Sequence, residues 1–498
     1  METSPQPVRF GTPPGRWILL ATILGSGVAS LDATVVNVAL PTIGRELDAG
    51  LSGLQWTLNG YLLTLAALIL LGGSLGDRYG RRRVFVIGVV WFALASLLCG
   101  LAPTVPVLVA ARALQGVGGA LLTPGSLAIL QASFAPRDRA RAIGAWSGFS
   151  GIATAVGPLL GGYLVDAVSW RLIFLLNVPL ALAVVVVAQR HVPETRDPSS
   201  VGGLDIGGAV LAAVGLAGVT YALLEGPGRG PASPLVLLPG LAGVAALASF
   251  LVVESRRKNP MLPLDIFSSR QFSAANGVTL AVYAALGGAF FLLVVQLQTV
   301  LGYSPLQAGA ATVPVTLLLL ALSSRAGELA TRIGPRLPMS LGPLLTAVGL
   351  VLMMRITAGS GYLVTVLPAV VVFGLGLALT VAPLTATVLA AADARHAGVA
   401  SGVNNAVARA AGLLAVALLP VLAGLSGEDY RDPSAFTSGF RLAMLMAAGL
   451  CAAGGLLAWL TIRNDIVAGE TRRDESHCAV AGPPLRPAGY HDEAPART

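Results

Sequence analysis

Residues 73–83 read Gly73-Ser-Leu-Gly76-Asp77-Arg78-Tyr-Gly80-Arg81-Arg82-Arg83. The string joins two apolar runs, 54–76 and 84–102. An α-helix needs about 20 apolar residues to cross the hydrocarbon core of a bilayer, and each run has roughly that length. The string therefore reads as a tight turn between two membrane spans. Its glycines permit the turn and a close approach of helices. Its arginines hold the turn on the side that retains positive charge. Asp77 can pair with them or cap a helix N-terminus.

Outward from this turn, apolar runs recur along the chain at 17–41, 54–76, 84–102, 105–130, 142–165, 171–189, 205–225, 235–254, 273–300, 306–325, 337–357, 361–390, 398–424 and 438–461. Of the 498 residues 55% are hydrophobic and only 11% charged, with mean hydropathy +0.78. A soluble domain carries about 25% charged residues. So few charges cannot cover a water-facing surface, and lipid is the expected solvent for most of the chain. Arg9 and Arg16, with Gly27-Val28-Ala29-Ser30 beyond, imitate a signal peptide. Because thirteen further runs follow, the first is read as an uncleaved helix.

The net charge is +8, and its distribution decides what it means. With the N-terminus inside, 24 of the 32 basic residues fall in the tails and the inner loops, six in the outer loops and two within spans. That bias is a topology signal, which predicts both ends in the cytoplasm and no nucleic-acid partner. Lys258 is the one lysine and follows Arg257, so no phosphate loop of the Gly-Lys-Ser/Thr type exists. An ATP-driven pump would need a separate subunit. Three cysteines, at 99, 451 and 478, and four scattered histidines give no metal spacing and no disulfide framework. No cofactor, no metal site and no enzyme activity are expected. A membrane hydrolase would cluster His, Asp or Ser within spans, and a sensor would carry a sizeable soluble domain.

The opening string recurs. Gly73-Ser-Leu-Gly-Asp-Arg78-Tyr-Gly80-Arg-Arg82 matches Gly327-Glu-Leu-Ala-Thr-Arg332-Ile-Gly334-Pro-Arg336 at an offset of 254. Gly116 and Gly118 match Gly374 and Gly376 at an offset of 258, and Arg139 with Gly144 loosely matches Arg395 with Gly398. Two copies of one helical unit are implied. The chain then divides into a cytoplasmic tail 1–16, a six-helix half 17–189, two inserted spans with linkers 190–272, a second six-helix half 273–462 and a tail 463–498. The last tail is polar, rich in Pro, Arg and Glu, and expected to be disordered. Two halves around a midplane site are an established transporter architecture.

At this point a resemblance emerges. The string 73–83 resembles the cytoplasmic loop signature of the major facilitator superfamily. Leu31-Asp-Ala-Thr-Val-Val-Asn37-Val-Ala-Leu-Pro41 resembles the first-helix motif of its fourteen-span drug:proton antiporters. Arg112-Ala-Leu-Gln-Gly116-Val-Gly118 is similar to the superfamily's fourth-helix motif, and Gly151-Ile-Ala-Thr-Ala-Val-Gly157-Pro158-Leu-Leu-Gly161-Gly162 to the fifth-helix antiporter motif. The resemblance covers residues 15 to 465. It implies the major facilitator fold, all-α, with two inserted central helices and fourteen spans. It also implies a monomer in a bacterial cell membrane that exports small hydrophobic compounds, antibiotics or other drugs, by alternating access against a proton gradient. The alternative is a dedicated exporter or facilitator of one metabolite.

The residues carry their own physics. Asp32 lies deep in the first span, where burying a carboxylate costs about 2.5–3.5 kcal/mol on insertion scales. Such a group faces a cavity and acts as a proton carrier or cation partner, or it makes a structural bond to a neighbouring helix. Arg112 in the fourth span carries the same cost and either tunes a nearby carboxylate or snorkels to the interface. The resemblance links Arg112 to proton coupling. Pro158 removes a backbone hydrogen bond and is expected to break the fifth helix at Gly157, with Gly151, Gly161 and Gly162 allowing close packing. The resemblance makes this a hinge favouring export. Arg409 is a second candidate cavity charge or packs near a half-helix end. Glu225 and Glu254 lie at span ends and read as interfacial. Asn37, Gln55, Trp56, Asn59, Tyr61, Gln115, Gln296 and Gln298 are candidates to line a cavity or to bond helices together. In the repeat, Asp77 becomes Thr331 and Arg112 becomes Val370, while Asp32 maps near Gly287 or Gly288. Proton handling is therefore expected in the first half, with a mainly apolar cavity wall from the second.

Overall fold

A computed structural model of the chain describes residues 8–197, 203–257, 260–391, 397–427 and 429–464. Lys258, Arg395, residues 1–7 of the first tail and the expected disorder of 465–498 lie outside the described residues. Every apolar run folds as helix, because a helix satisfies its backbone polar groups internally. The helices are α1 (Pro13–Glu46), α2 (Leu51–Tyr79), α3 (Arg81–Gly100), α4 (Val105–Ser133), α5 (Pro136–Ala167), α6 (Arg171–Leu175), α7 (Asn177–His191), α8 (Ile206–Arg229), α9 (Pro234–Arg256), α10 (Arg270–Thr299), α11 (Pro305–Ile333), α12 (Arg336–Met353), α13 (Leu367–Ala390), α14 (Ala397–Leu422) and α15 (Pro433–Thr461). The sixth span is α6 with α7, and a π turn at Tyr362–Val366 leads into α13. Fourteen spans result among the described residues, in the places that the apolar runs predict. Polar caps mark their starts. Ser304 and Gln307 form a capping box on α11, and Asp432 caps α15.

In the first half α4 wedges between α2 and α3, and α1 packs on α5 and α7. In the second, α13 wedges between α11 and α12, and α10 packs on α14 and α15. The duplicated glycines explain the correspondence. A Cβ at Gly116 would collide with the Tyr61 carbonyl of α2, and one at Gly118 would lie 2.7 Å from the Phe92 nitrogen of α3. In the repeat, Gly374 meets Val315 Cα of α11 at 3.0 Å, and Gly376 meets the backbone of Thr346 on α12. Only glycine lets both neighbours approach so closely.

The halves meet along α5 with α11 and α2 with α14. Among the described residues, every hydrogen bond and ion pair between them lies at the arginine-poor end. Gln298 Nε2 donates to the Val38 carbonyl (2.8 Å), Gln55 Nε2 to Val416 (2.6 Å) and the Tyr430 hydroxyl to Ala49 (2.6 Å). Arg431 pairs with Asp48 at 3.0 Å, and the Ser304 hydroxyl donates to Asp166 at 2.7 Å. Toward the arginine-rich end α5 leaves its partner. A Cβ on Gly162 would press on Leu306, whereas Gly148 and Gly144 meet nothing within 4 Å. The inserted hairpin α8–α9 lies outside both halves, and α8 rests on α2 and α14. Glu225 accepts from Trp56 Nε1 (3.1 Å) and pairs with Arg229 (2.9 Å), pinning α8 to α2. Glu254 stands two residues from the end of α9. It is 2% exposed, and its carboxylate accepts the Leu262 amide (2.8 Å) at the hairpin's foot. Beside it the Asp205 carboxylate caps α8 at Gly208 (2.7 Å) and pairs with Arg257.

Candidate functional site

Asp32 and Arg112 find each other inside the first half, each 1% exposed. Arg112 Nη1 donates to Asp32 Oδ2 at 2.6 Å and to Gln115 Oε1 at 2.5 Å, while its Nε donates to the Thr57 carbonyl at 3.1 Å. Asp32 Oδ1 accepts from Gln115 Nε2 (2.8 Å) and from Asn177 Nδ2 (3.1 Å). Both amides also donate to the Ser96 hydroxyl, at 2.7 and 3.3 Å. The guanidinium lies over the Tyr61 ring, 4.5 Å from its centroid. Five helices, α1, α2, α3, α4 and α7, thus join one buried network, in which α4 and α7 donate to the carboxylate itself. A buried ion pair survives only with such extra hydrogen bonds, because desolvating two charges costs several kcal/mol per ion. Arg112 does not snorkel. Ser96 and Asn177 escape the sequence reading. Their one signal is a lone polar residue in each of the runs Leu94-Ala95-Ser96-Leu97 and Leu175-Leu176-Asn177-Val178.

The 73–83 turn is held from the far end of its half. Asp77 pairs with Arg81 at 2.8 Å. The cap on α3, however, is Glu194, whose carboxylate accepts from the backbone nitrogens of Arg82 and Arg83, both at 3.1 Å. The Arg81 amide donates to Thr195 and the Asp197 amide to Asp77, both at 2.9 Å, so the segment after α7 wraps the turn. Gly80 has φ +115°, and a Cβ there would lie 2.6 Å from the Glu194 carboxylate. The second half repeats the device. Gly334 has φ +88°, Asn464 Oδ1 accepts the Arg336 amide (3.1 Å), and the Arg336 guanidinium lies 4.3 Å over Trp459. Each capping residue stands three positions beyond its span, after His191 and after Thr461. Gly73, Gly76 and Arg78 lie on the last turns of α2, ahead of this joint.

The fifth helix is not broken. Pro158 sits inside one continuous helix, α5. A proline is tolerated in a span when neighbouring helices surround it. The glycines beside it form contacts on two sides. Gly157 and Gly161 meet Thr34 and Val35 of α1, while Gly151 meets Leu320 at 2.8 Å and Gly162 meets the Pro305 carbonyl at 2.7 Å on α11. The Pro158 carbonyl packs against Gly309 of α11. The motif is therefore a seam between halves at the arginine-poor end.

Several candidate cavity residues bond helices instead, in this conformation. Gln55 and Gln298 are seal residues, at 3% and 6% exposure, and Gln296 is fully buried, donating to the Ile356 carbonyl at 2.8 Å. Asn37 donates to Ala33 on its own helix. Asn59 is buried with neither amide atom partnered. The second half is not merely an apolar wall either. Asn404 donates to Asn276 (3.1 Å) and to Thr279 (2.7 Å), and Arg409 is half-buried near the middle of α14.

A family model described as Major Facilitator Superfamily matches residues 22–416. The tetracenomycin C resistance and export protein of Streptomyces glaucescens is 37% identical over 416 residues, covering 83% of this chain and 77% of that protein. The methylenomycin A resistance protein of Bacillus subtilis is 35% identical over 446 residues, covering 89% and 93%. A solved bacterial homologue of the human lysosomal transporter Spinster superposes with TM-score 0.63 at 17% identity, over 91% of this chain and 97% of that one. That last likeness concerns the fold.

Proposed function

Since the chain belongs to the major facilitator superfamily, we propose that it exports small hydrophobic compounds, antibiotics or other drugs, out of a bacterial cell in exchange for protons. It acts as a monomer in the cell membrane, with both termini cytoplasmic, as a transporter rather than an enzyme and with no cofactor beyond the proton gradient. The arginine-poor end is then the outer face, closed in this conformation.

The observation that carries the reading is the buried Asp32–Arg112 pair. Protonation neutralises Asp32 and removes the charge that balances Arg112. A buried arginine without its partner costs about 3–5 kcal/mol, so the first half must rearrange to satisfy it. That links proton occupancy to access state, which is what exchange requires. The magnitudes suffice. A proton moving down 100 mV releases about 2.3 kcal/mol, and one pH unit adds about 1.4 kcal/mol. Together they shift a two-state balance by several hundredfold. Relatives described as antibiotic resistance or export proteins support the substrate class.

Drug accumulation in a pump-deficient bacterial host tests the proposal. Wild type is expected to lower accumulation of dyes or antibiotics, and a protonophore or Asp32→Asn at matched expression to abolish that effect. Export that survives both treatments overturns proton coupling. A wild type that moves no compound in a broad panel favours one dedicated substrate.

A further inference from the structure

Arg409 is the second arginine held deep in a span, after Arg112, and no carboxylate among the described residues pairs with it. It stands in the middle of α14, half-buried, and among the described residues it has no hydrogen-bond or ion-pair partner. Its neighbours on the helix fix where it points. Ala406 packs on the first-half cluster that includes Tyr61 and Leu65, while Ala410 and Leu413 pack with Ala66 and Ala67 of α2. On the other flank Gly412 abuts Gly287 of α10. Arg409 accordingly lies at the junction of the halves, within coulombic range of Tyr61 from the first and Tyr283 from the second. It is seven positions below the Gln55–Val416 contact, about 10 Å of helix rise, and so on the unsealed side.

No acidic side chain among the described residues is available to pair with it there. Asp32 is the one carboxylate deep in a span, and Arg112, Gln115 and Asn177 already occupy it. The other acidic residues on spans stand near helix ends, at Glu46, Asp77, Asp138, Asp166, Glu225, Glu254 and Glu328. The ion pair of Asp32 with Arg112 is neutral as a unit, so the junction carries a net positive charge. A half-buried cation at the depth of the bilayer is costly until a partner arrives.

We propose that Arg409 is the substrate-charge determinant, and that the transported compounds carry an acidic group, a carboxylate or an ionised phenol, that pairs with it. Tyr283, half-buried on α10, borders the same place with a phenol ring that can stack on a flat, apolar body. This assignment rests on the efflux reading and gives its substrates a sign. Cationic drugs are disfavoured, because they would meet a like charge in a low dielectric.

The test uses two xanthene dyes of similar shape and opposite charge, fluorescein and rhodamine 123, with the full-length protein in lipid nanodiscs. Fluorescence anisotropy is expected to show fluorescein bound at least ~10-fold more tightly than rhodamine 123, the scale of a charge-assisted hydrogen bond. Arg409→Ala should erase that preference, and Arg409→Lys should keep most of it, with size-exclusion profiles checking the fold of each variant. Equal or inverted preference in wild type, or fluorescein binding unchanged in Arg409→Ala, overturns the proposal. Uptake into everted vesicles separates it from the efflux reading. Proton-driven uptake without charge preference sinks the anion site and leaves efflux intact. A charge preference in binding with no uptake of any dye sinks efflux and leaves the anion site intact.

Discussion

Arg112 donates to Asp32, Gln115 and Thr57 at a position 1% exposed, and these bonds are hard to replace. Arg112→Ala leaves a buried carboxylate unbalanced, and the expected cost is about 3–5 kcal/mol. The check is the thermal midpoint of the purified protein, and the double variant Asp32→Ala with Arg112→Ala should recover much of the loss. If the double variant is less stable than Arg112→Ala, the pair is not the source of the strain. Asn177→Ala removes one donor to Asp32 and should cost about 1–3 kcal/mol in the same assay. The charged pair was legible in the sequence because a bilayer makes deep charges conspicuous. Ser96 and Asn177 were not, since small polar residues are common in spans. Asn177 reaches Asp32 across 145 positions and Ser96 joins through Gln115 and Asn177, which is a tertiary fact.

Two helix junctions carry predictions of their own. On α5, the Cβ position of Gly162 lies 2.7 Å from the Pro305 carbonyl of α11. Gly162→Val overpacks that seam by about 1–3 kcal/mol, which biases the molecule away from closure at the arginine-poor end. Thiol labelling of an Ala49→Cys reporter, 4% exposed when closed, should then accelerate several-fold, and an unchanged rate argues that this seam does not hold the closed state. The native Cys99 and Cys451 are buried, and the third native cysteine, Cys478, is changed to serine in the reporter background. At the 73–83 turn, Glu194→Ala removes the α3 cap and should lower stability by about 0.5–2 kcal/mol, with less loss for Glu194→Gln. Gly80→Ala should cost more than Gly76→Ala, because Gly80 adds a positive φ to its contact with Glu194. The sequence revealed the glycines and arginines of this turn through their repetition. It hid the caps, because Glu194 and Asn464 differ in type and lie more than a hundred residues from the turns they close. The continuity of α5 through Pro158 was hidden for another reason. Whether a proline interrupts a span depends on what packs around it.

For the whole molecule, the fourteen spans and the duplication were legible because a bilayer imposes length and parity on every crossing. The placement of the inserted pair was not, since an apolar run says nothing of which neighbour it meets. The structure sets α8 against α2 and α14, over one of the two lines where the halves meet. Among the described elements neither α8 nor α9 packs on the other line, between α5 and α11. A photoreactive dye dissolved in the leaflets should therefore label α5 and α11 in preference to α2 and α14, as read by mass spectrometry of the digested protein. Equal labelling of both sides counts against a covering role. Removing the hairpin should even out the pattern while leaving the crossing parity unchanged, as two spans leave and none changes direction. The covered flank gives the protein a front and a back within the plane of the membrane. In a crowded bilayer, which flank a neighbouring protein occupies would then decide whether leaflet-dissolved cargo can queue at the exposed side. Lateral organisation becomes a control on flux that no assay of isolated molecules would register.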